Sequence, residues 1–248
     1  TLSITNPVAG FIRFDAAGRT FGVNGGALLN NSSGNISLAG INFISVYPGN
    51  GTNVENISAF SGNNFPSLDI FSGTNSDTVN FNGDITFASG DGLYVDLQNG
   101  SPKPNSVTIA PNANIIATGT GPISVYASRS VDMGAGSSFE VLDGDLTMEA
   151  NKQTTPTAGD FIGINLNGAT IKSTGTGYVT VNGTGGDGAG SVNGYQFGVQ
   201  VVNGAKVIGG DPGAVILTGN GGASSNIVNR GVSVEGAGSS ISSSGGQV

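Results

Sequence analysis

Cysteine, histidine and tryptophan are absent from the 248 residues. The chain therefore has no disulfide framework, no thiolate or imidazole zinc site, and no Ser-His-Asp or Cys-His nucleophile, because each needs a ligand or base that is missing. Any metal would have to be a hard one held by oxygen. Charge is scarce as well: 8 basic and 16 acidic residues make 10% of the chain, against about 25% in an average soluble domain. The net charge of −8 argues against nucleic acid or anionic lipid as partners, since both are bound through dense Lys/Arg surfaces. No apolar run approaches the ~18 residues of a membrane span, and Thr1 does not open a basic-then-apolar leader. The expectation is a soluble segment cut from a longer chain, with no membrane insertion.

Glycine is what the chain has in quantity, 44 residues beside 9 prolines, together still below the roughly 25% that marks low-complexity disorder. The 37% apolar residues fall in short alternating runs that can be buried. Those runs repeat. Gly163-Ile164-Asn165-Leu166-Asn167-Gly168-Ala169 returns as Gly198-Val199-Gln200-Val201-Val202-Asn203-Gly204-Ala205 and again as Gly231-Val232-Ser233-Val234-Glu235-Gly236-Ala237, at offsets of 35 and 33 residues. A second element keeps the same phase, Val179-Thr180-Val181 matching Val215-Ile216-Leu217 at an offset of 36. Earlier copies of this Gly-x-apolar-Thr/Ser-apolar pattern read as Gly83 to Ala88, Gly121 to Val125 and Gly144 to Ala150.

Alternation at period two with Val, Ile, Leu and Phe makes these pieces strands. Gly or Pro interrupts every window before a helix could reach three turns. Hairpins could use the same strands, but a meander has no reason to keep one compositional phase, whereas a solenoid repeats its pattern once per turn. The fold expected is all-β: a single-stranded parallel β-helix, an elongated rod of about eight to ten turns. Residues 77–248 are expected to form regular repeats of about 23–38 residues. Residues 1–76 fit the period less well and are read as irregular coils or a sheet extension. Stretches 99–105, 151–160 and 185–193 read as loops leaving the rod.

The run Thr118-Gly119-Thr120-Gly121-Pro122-Ile123-Ser124-Val125-Tyr126-Ala127-Ser128-Arg129-Ser130-Val131-Asp132-Met133, followed by Asp143 to Asn151, resembles filamentous-haemagglutinin-type exoproteins and autotransporter adhesins. Gly-Val-x-Val-x-Asn-Gly-Ala resembles their degenerate shaft repeats. The resemblance covers roughly residues 77–244. It implies a right-handed parallel β-helix, secretion by a two-partner or autotransporter route to the bacterial surface or medium, and a structural and adhesive function. Partners would be a cell-surface or matrix receptor, carbohydrate among the options, together with end-to-end or lateral self-association. The Asn-Pro-Asn-Gly type secretion signature of such proteins finds no clear match.

Two other function classes are open to the same sequence. A polymerising matrix or sheath subunit could use the same strands. A carbohydrate-active β-helix enzyme, a polysaccharide lyase or glycoside hydrolase, would need paired carboxylates, and Glu140, Asp143, Asp145 and Glu149 lie within ten residues. The counterparts of Asp145 in other coils are Pro122, Tyr178 and Ala214, which favours a variable surface position. Arg129 near Asp132 is the one pairing suggestive of a lyase base, and an exposed ion pair explains it more simply. No catalytic, cofactor or metal residue is therefore assigned. The Gly183-Thr184-Gly185-Gly186-Asp187-Gly188-Ala189-Gly190 stretch imitates a single calcium-binding nonapeptide, but calcium rolls need tandem copies, so a loop is favoured. Seven Asn-x-Ser/Thr triplets begin at Asn30, Asn31, Asn35, Asn50, Asn56, Asn99 and Asn182, as chance predicts in this composition. Tyr47, Tyr94, Tyr126, Tyr178 and Tyr195 could stack on sugars, though ladder packing accounts for most strand aromatics.

Overall fold

The computed structural model describes residues 2–5, 11–15, 20–23, 27–30, 35–48, 51–60, 62, 64–98, 103–188, 195–222 and 229–248, with side chains for Ile4 and from Leu38 onward within those ranges. No described residue is helical. The strands assemble into three parallel sheets, and from Asp77 onward the chain visits them in a fixed order. In the first sheet, Asn53–Ile57, Asp77–Phe81, Ser106–Ile109, Ser130–Met133, Ile164–Asn167, Val199–Val202 and Val232–Glu235 stack in sequence order. The second sheet runs from Ile85–Thr86 to Ser240–Ser243, and the third from Phe43–Val46 to Val215–Asn220. The fold is a parallel β-helix. Leu2–Thr5 adds one more parallel strand to the first sheet, against which Phe11–Asp15 and then Asn35–Ser37 pair antiparallel. A separate antiparallel pair joins Thr20–Val23 to Ala27–Asn30.

Stacking sets the core. Ile164 pairs with Val199 in an inward column and Val199 with Val232, which is 37% exposed on the last coil, at the spacing of the sequence repeat. On the third sheet Ile123, Leu146, Val179 and Val215 form another column, continuous with Leu68 and Leu93 below. On the second, Ile85, Ile115, Phe139, Ile171 and Val207 do the same. Nearly all of these side chains are fully buried, and each contributes about 1.5–3 kcal/mol relative to exposure. The eight parallel strands of the first sheet extend about 34 Å along the axis at the usual interstrand spacing.

One register differs from the sequence reading. The Gly83 to Ala88 copy belongs to the second sheet, where Ile85 pairs with Ile115, whereas Ile123 lies over Leu93 in the third. Glycine marks both corners because at both the chain crosses closely over the coil beneath it: a Cβ on Gly83 would meet Ala59, and one on Gly121 would overlap the Asp91 carbonyl. Local sequence alone cannot tell the two corners apart.

Coil length varies at one corner. Turns from the first to the second sheet and from the second to the third are short. Segments 151–163, 185–198 and 221–231 all leave between the third and first sheets, so insertions do not disturb the stacked strands. Residues 99–102 and 189–193 of the expected loops lie outside the described residues. This corner is also held by buried amides. Asn53 Nδ2 donates to Asp77 Oδ1 at 2.7 Å, and the Asp77 amide donates to Asn105 Oδ1 at 2.7 Å. Two coils after Asn105, Asn151, in left-handed backbone conformation (φ 55°), bridges Thr157 and Gly185.

Candidate functional surface

The carboxylates that lie close in sequence are spread over the rod. Glu140 projects from the second sheet and pairs with Lys172 one coil up at 2.9 Å, a half-exposed contact worth under about 1 kcal/mol. Asp143 and Asp145 sit at the next corner, where they accept from the backbone of the following coil, Thr176 N at 3.0 Å and Tyr178 N at 2.9 Å. Glu149 stands on the third sheet between Tyr126 and Asn182. Arg129 lies over the Phe161 ring, 5.1 Å from its centroid, rather than in ion-pair contact with Asp132. These groups stabilise successive coils against one another. Among the described residues, no three acidic side chains converge on a common point that could hold a metal.

The Gly183 to Gly190 stretch starts as strand: Gly183 and Thr184 close the third-sheet strand Val179–Thr184 and pair with Gly219 and Asn220. Asn56 and Asn182 are half-buried rungs, Asn56 accepting from Asn80 Nδ2 at 3.0 Å and Asn182 donating to Glu149 at 3.4 Å. The side chains of Asn30, Asn31, Asn35, Asn50 and Asn99 lie outside the described residues.

Two surfaces have a composition of their own. On the outer face of the third sheet the rings of Tyr47, Phe71, Tyr94 and Tyr126 form a continuous chain, with centroids 4.7, 5.9 and 5.9 Å apart. Tyr47 is 67% and Tyr94 38% exposed. Asp69 and Asp96 alternate with these rings, and burial raises the Asp69 carboxyl above its ordinary pKa. Tyr94 OH reaches Asp96 Oδ2 at 3.5 Å, and its pKa is raised, first by burial and then by the Asp96 charge. Tyr178 is exposed at the corner before the same sheet, and Tyr195 packs on Phe197 at the loop corner.

On the first sheet, Asn165, Asn167, Gln200, Asn203 and Glu235 line a shallow open depression of about 470 Å³. Asn203 Nδ2 donates to Asn167 Oδ1 at 2.8 Å along its edge. The Asn-Gly-Ala turns of the repeat were the signal for this face, because they put an amide at the same place in successive coils.

Asp132 belongs to this face. Burial, the largest influence, raises its pKa above 3.8, and donors from Ser130 and Asn165 and the Arg129 charge only partly oppose it. The folded protein thus holds that proton more tightly than the unfolded chain does. Stability falls as pH rises from below 3.8 through the raised pKa, and the cost persists at neutral pH. Asp132→Asn removes it, so its melting temperature is expected to exceed that of the parent at pH 7 and to converge with it below pH 3.8. Thermal melts of both proteins across that range check this; an offset independent of pH would contradict it.

Comparison with known proteins adds no relative: no family model, curated protein or solved structure matches the chain.

Proposed function

We propose that this chain is a structural and adhesive rod, the shaft segment of a large bacterial surface adhesin or secreted exoprotein, acting outside the cell as a stiff spacer that carries contact surfaces along its length. The observation that carries this reading is the in-register stacking of one apolar interior along a single axis. Backbone hydrogen bonds parallel to that axis resist extension, and the absence of cysteine and of the need for a cofactor suits a chain that folds after export. The dispersal of Glu140, Asp143, Asp145, Glu149, Arg129 and Asp132 favours a shaft over a hydrolase or lyase cleft.

Antibody fragments raised against the purified rod provide the test. They are expected to label intact source cells or their medium and to reduce attachment of those cells to surfaces or to one another. Labelling confined to permeabilised cells, or release of saccharide products from polysaccharides by the purified rod, would overturn the reading.

A further inference from the structure

The seven strands of the third sheet contain no Lys or Arg, although the chain has eight. Among their outward positions between Phe43–Val46 and Leu146–Ala150, rings and carboxylates form a checkerboard, with Ser45, Ser124 and Thr147 filling the rest of the column of Asp69 and Tyr94. Asp69 lies directly beside Tyr94, Phe71 beside Asp96, Asp96 beside Tyr126, and Tyr126 beside Glu149. The rings touch along the diagonals. Each element of this pattern has the same electrostatic sign, since the face of an aromatic ring carries negative quadrupolar density and attracts cations as a carboxylate does. An anionic ligand is repelled. A neutral sugar gains contact with the rings but nothing from the net field, whereas a planar cation gains from both.

Spacing and shape narrow the cation. A guanidinium stacks on a tilted ring and grips a carboxylate with two parallel hydrogen bonds, which an ammonium cannot do. Asp69 and Glu149 stand three rows apart and two residues apart along the strand, about 14 Å axially and about 16 Å in all at the usual sheet spacings, which is the reach of four to five extended residues, about 3.3 Å each. We propose that the outer face of the third sheet, from Tyr47 to Glu149, is a docking site for an extended peptide segment of a partner protein bearing arginines about four residues apart. Arg stems lie across the ring edges, and the guanidinium groups pair with Asp69, beside Tyr94, and with Glu149, beside Tyr126, with Asp96 between them. The proposal goes beyond the adhesive reading by naming the partner's chemistry. It stands on the composition of the face, so a rod that proved not to be an adhesin would still bind the peptide.

Fluorescence anisotropy with a labelled peptide of three Arg-Gly-Gly-Gly repeats tests it, alongside the same peptide carrying citrulline, at about 0.15 M salt. The arginine peptide is expected to bind and the citrulline peptide not to. Asp69→Asn combined with Asp96→Asn, which keeps the shape of the face, is expected to weaken binding about tenfold, and Tyr94→Leu several-fold. Glu140→Gln removes the same kind of charge from another sheet and is expected to leave binding unchanged. Melting curves establish that each variant is folded, and the isosteric Asn pair carries the test should Tyr94→Leu not fold. Equal weakening by Glu140→Gln would reduce the effect to bulk charge and overturn the proposal. So would binding untouched by the Asn pair, or binding of cellohexaose but not of the arginine peptide.

Discussion

Gly144→Val is expected to lower the stability of the rod by about 3 kcal/mol or more. Gly121, Gly144, Gly177 and Gly213 form a column at the entrance to the third sheet, each crossing over the backbone of the coil below. A Cβ on Gly144 would overlap the Gly121 carbonyl oxygen and come within 2.7 Å of the Thr120 oxygen. One on Gly177 would in turn overlap the Gly144 carbonyl. The obstacle is backbone, so no side chain can swing away. Separating the two coils would stretch the Ile123 N to Asp145 O bond of 3.0 Å beside it, losing stacking at this corner. Gly204→Ala is the comparison. Gly204 has φ 83° but its nearest obstacle, the Ala237 oxygen, is 3.7 Å away, so only the left-handed backbone penalty of about 1–2 kcal/mol applies. Urea midpoints of the two variants should differ in that order. A Gly144→Val protein no less stable than Gly204→Ala would mean that the coils separate freely at this corner.

The same column explains what could be read from sequence. Gly121, Gly144, Gly177 and Gly213 each stand two residues before an inward Ile, Leu or Val, and the register derived from that pattern matches the observed pairs Ile123 with Leu146, Leu146 with Val179 and Val179 with Val215. It failed at Gly83 because close crossing selects glycine wherever it occurs, and the corner's identity depends on how many residues separate it from Asp77–Phe81. The ring and carboxylate checkerboard was out of reach for a related reason. Asp69, Tyr94, Tyr126 and Glu149 become neighbours only once each coil length is known, and those lengths vary with the excursions at the third corner. Individual tyrosines were visible; their alternation with Asp69 and Asp96 was not. Glu55 was illegible in another way, because it is fully buried in a column that Val79, Val107 and Val131 continue.

Asn105 was read as part of a surface loop and is instead 1% exposed, which makes it the second position where a large effect is expected. Its Oδ1 accepts from the Asp77 amide at 2.7 Å, and its Nδ2 donates to the Leu97 carbonyl at 2.8 Å, so one side chain ties the strand below to the end of its own coil's third-sheet strand. Asp77 is itself buried, with its two oxygens accepting from Asn53 Nδ2 and from Gly73 N at 2.6 Å. Asn105→Leu fills the volume but strips Asp77 N–H of its acceptor and the Leu97 carbonyl of this donor, in an interior that water does not reach. At about 1–3 kcal/mol for each group so stranded, the variant should lose about 2–5 kcal/mol. Asn114→Leu removes an equivalent amide from outside the rod, where Nδ2 donates to Asp84 at 3.0 Å in solvent, and should cost under about 1 kcal/mol. Denaturation midpoints of the pair separate buried from exposed rungs directly. If the two losses are equal, the polar rungs at this corner act as surface decoration, and the side excursions, not the interior amides, set where each coil turns.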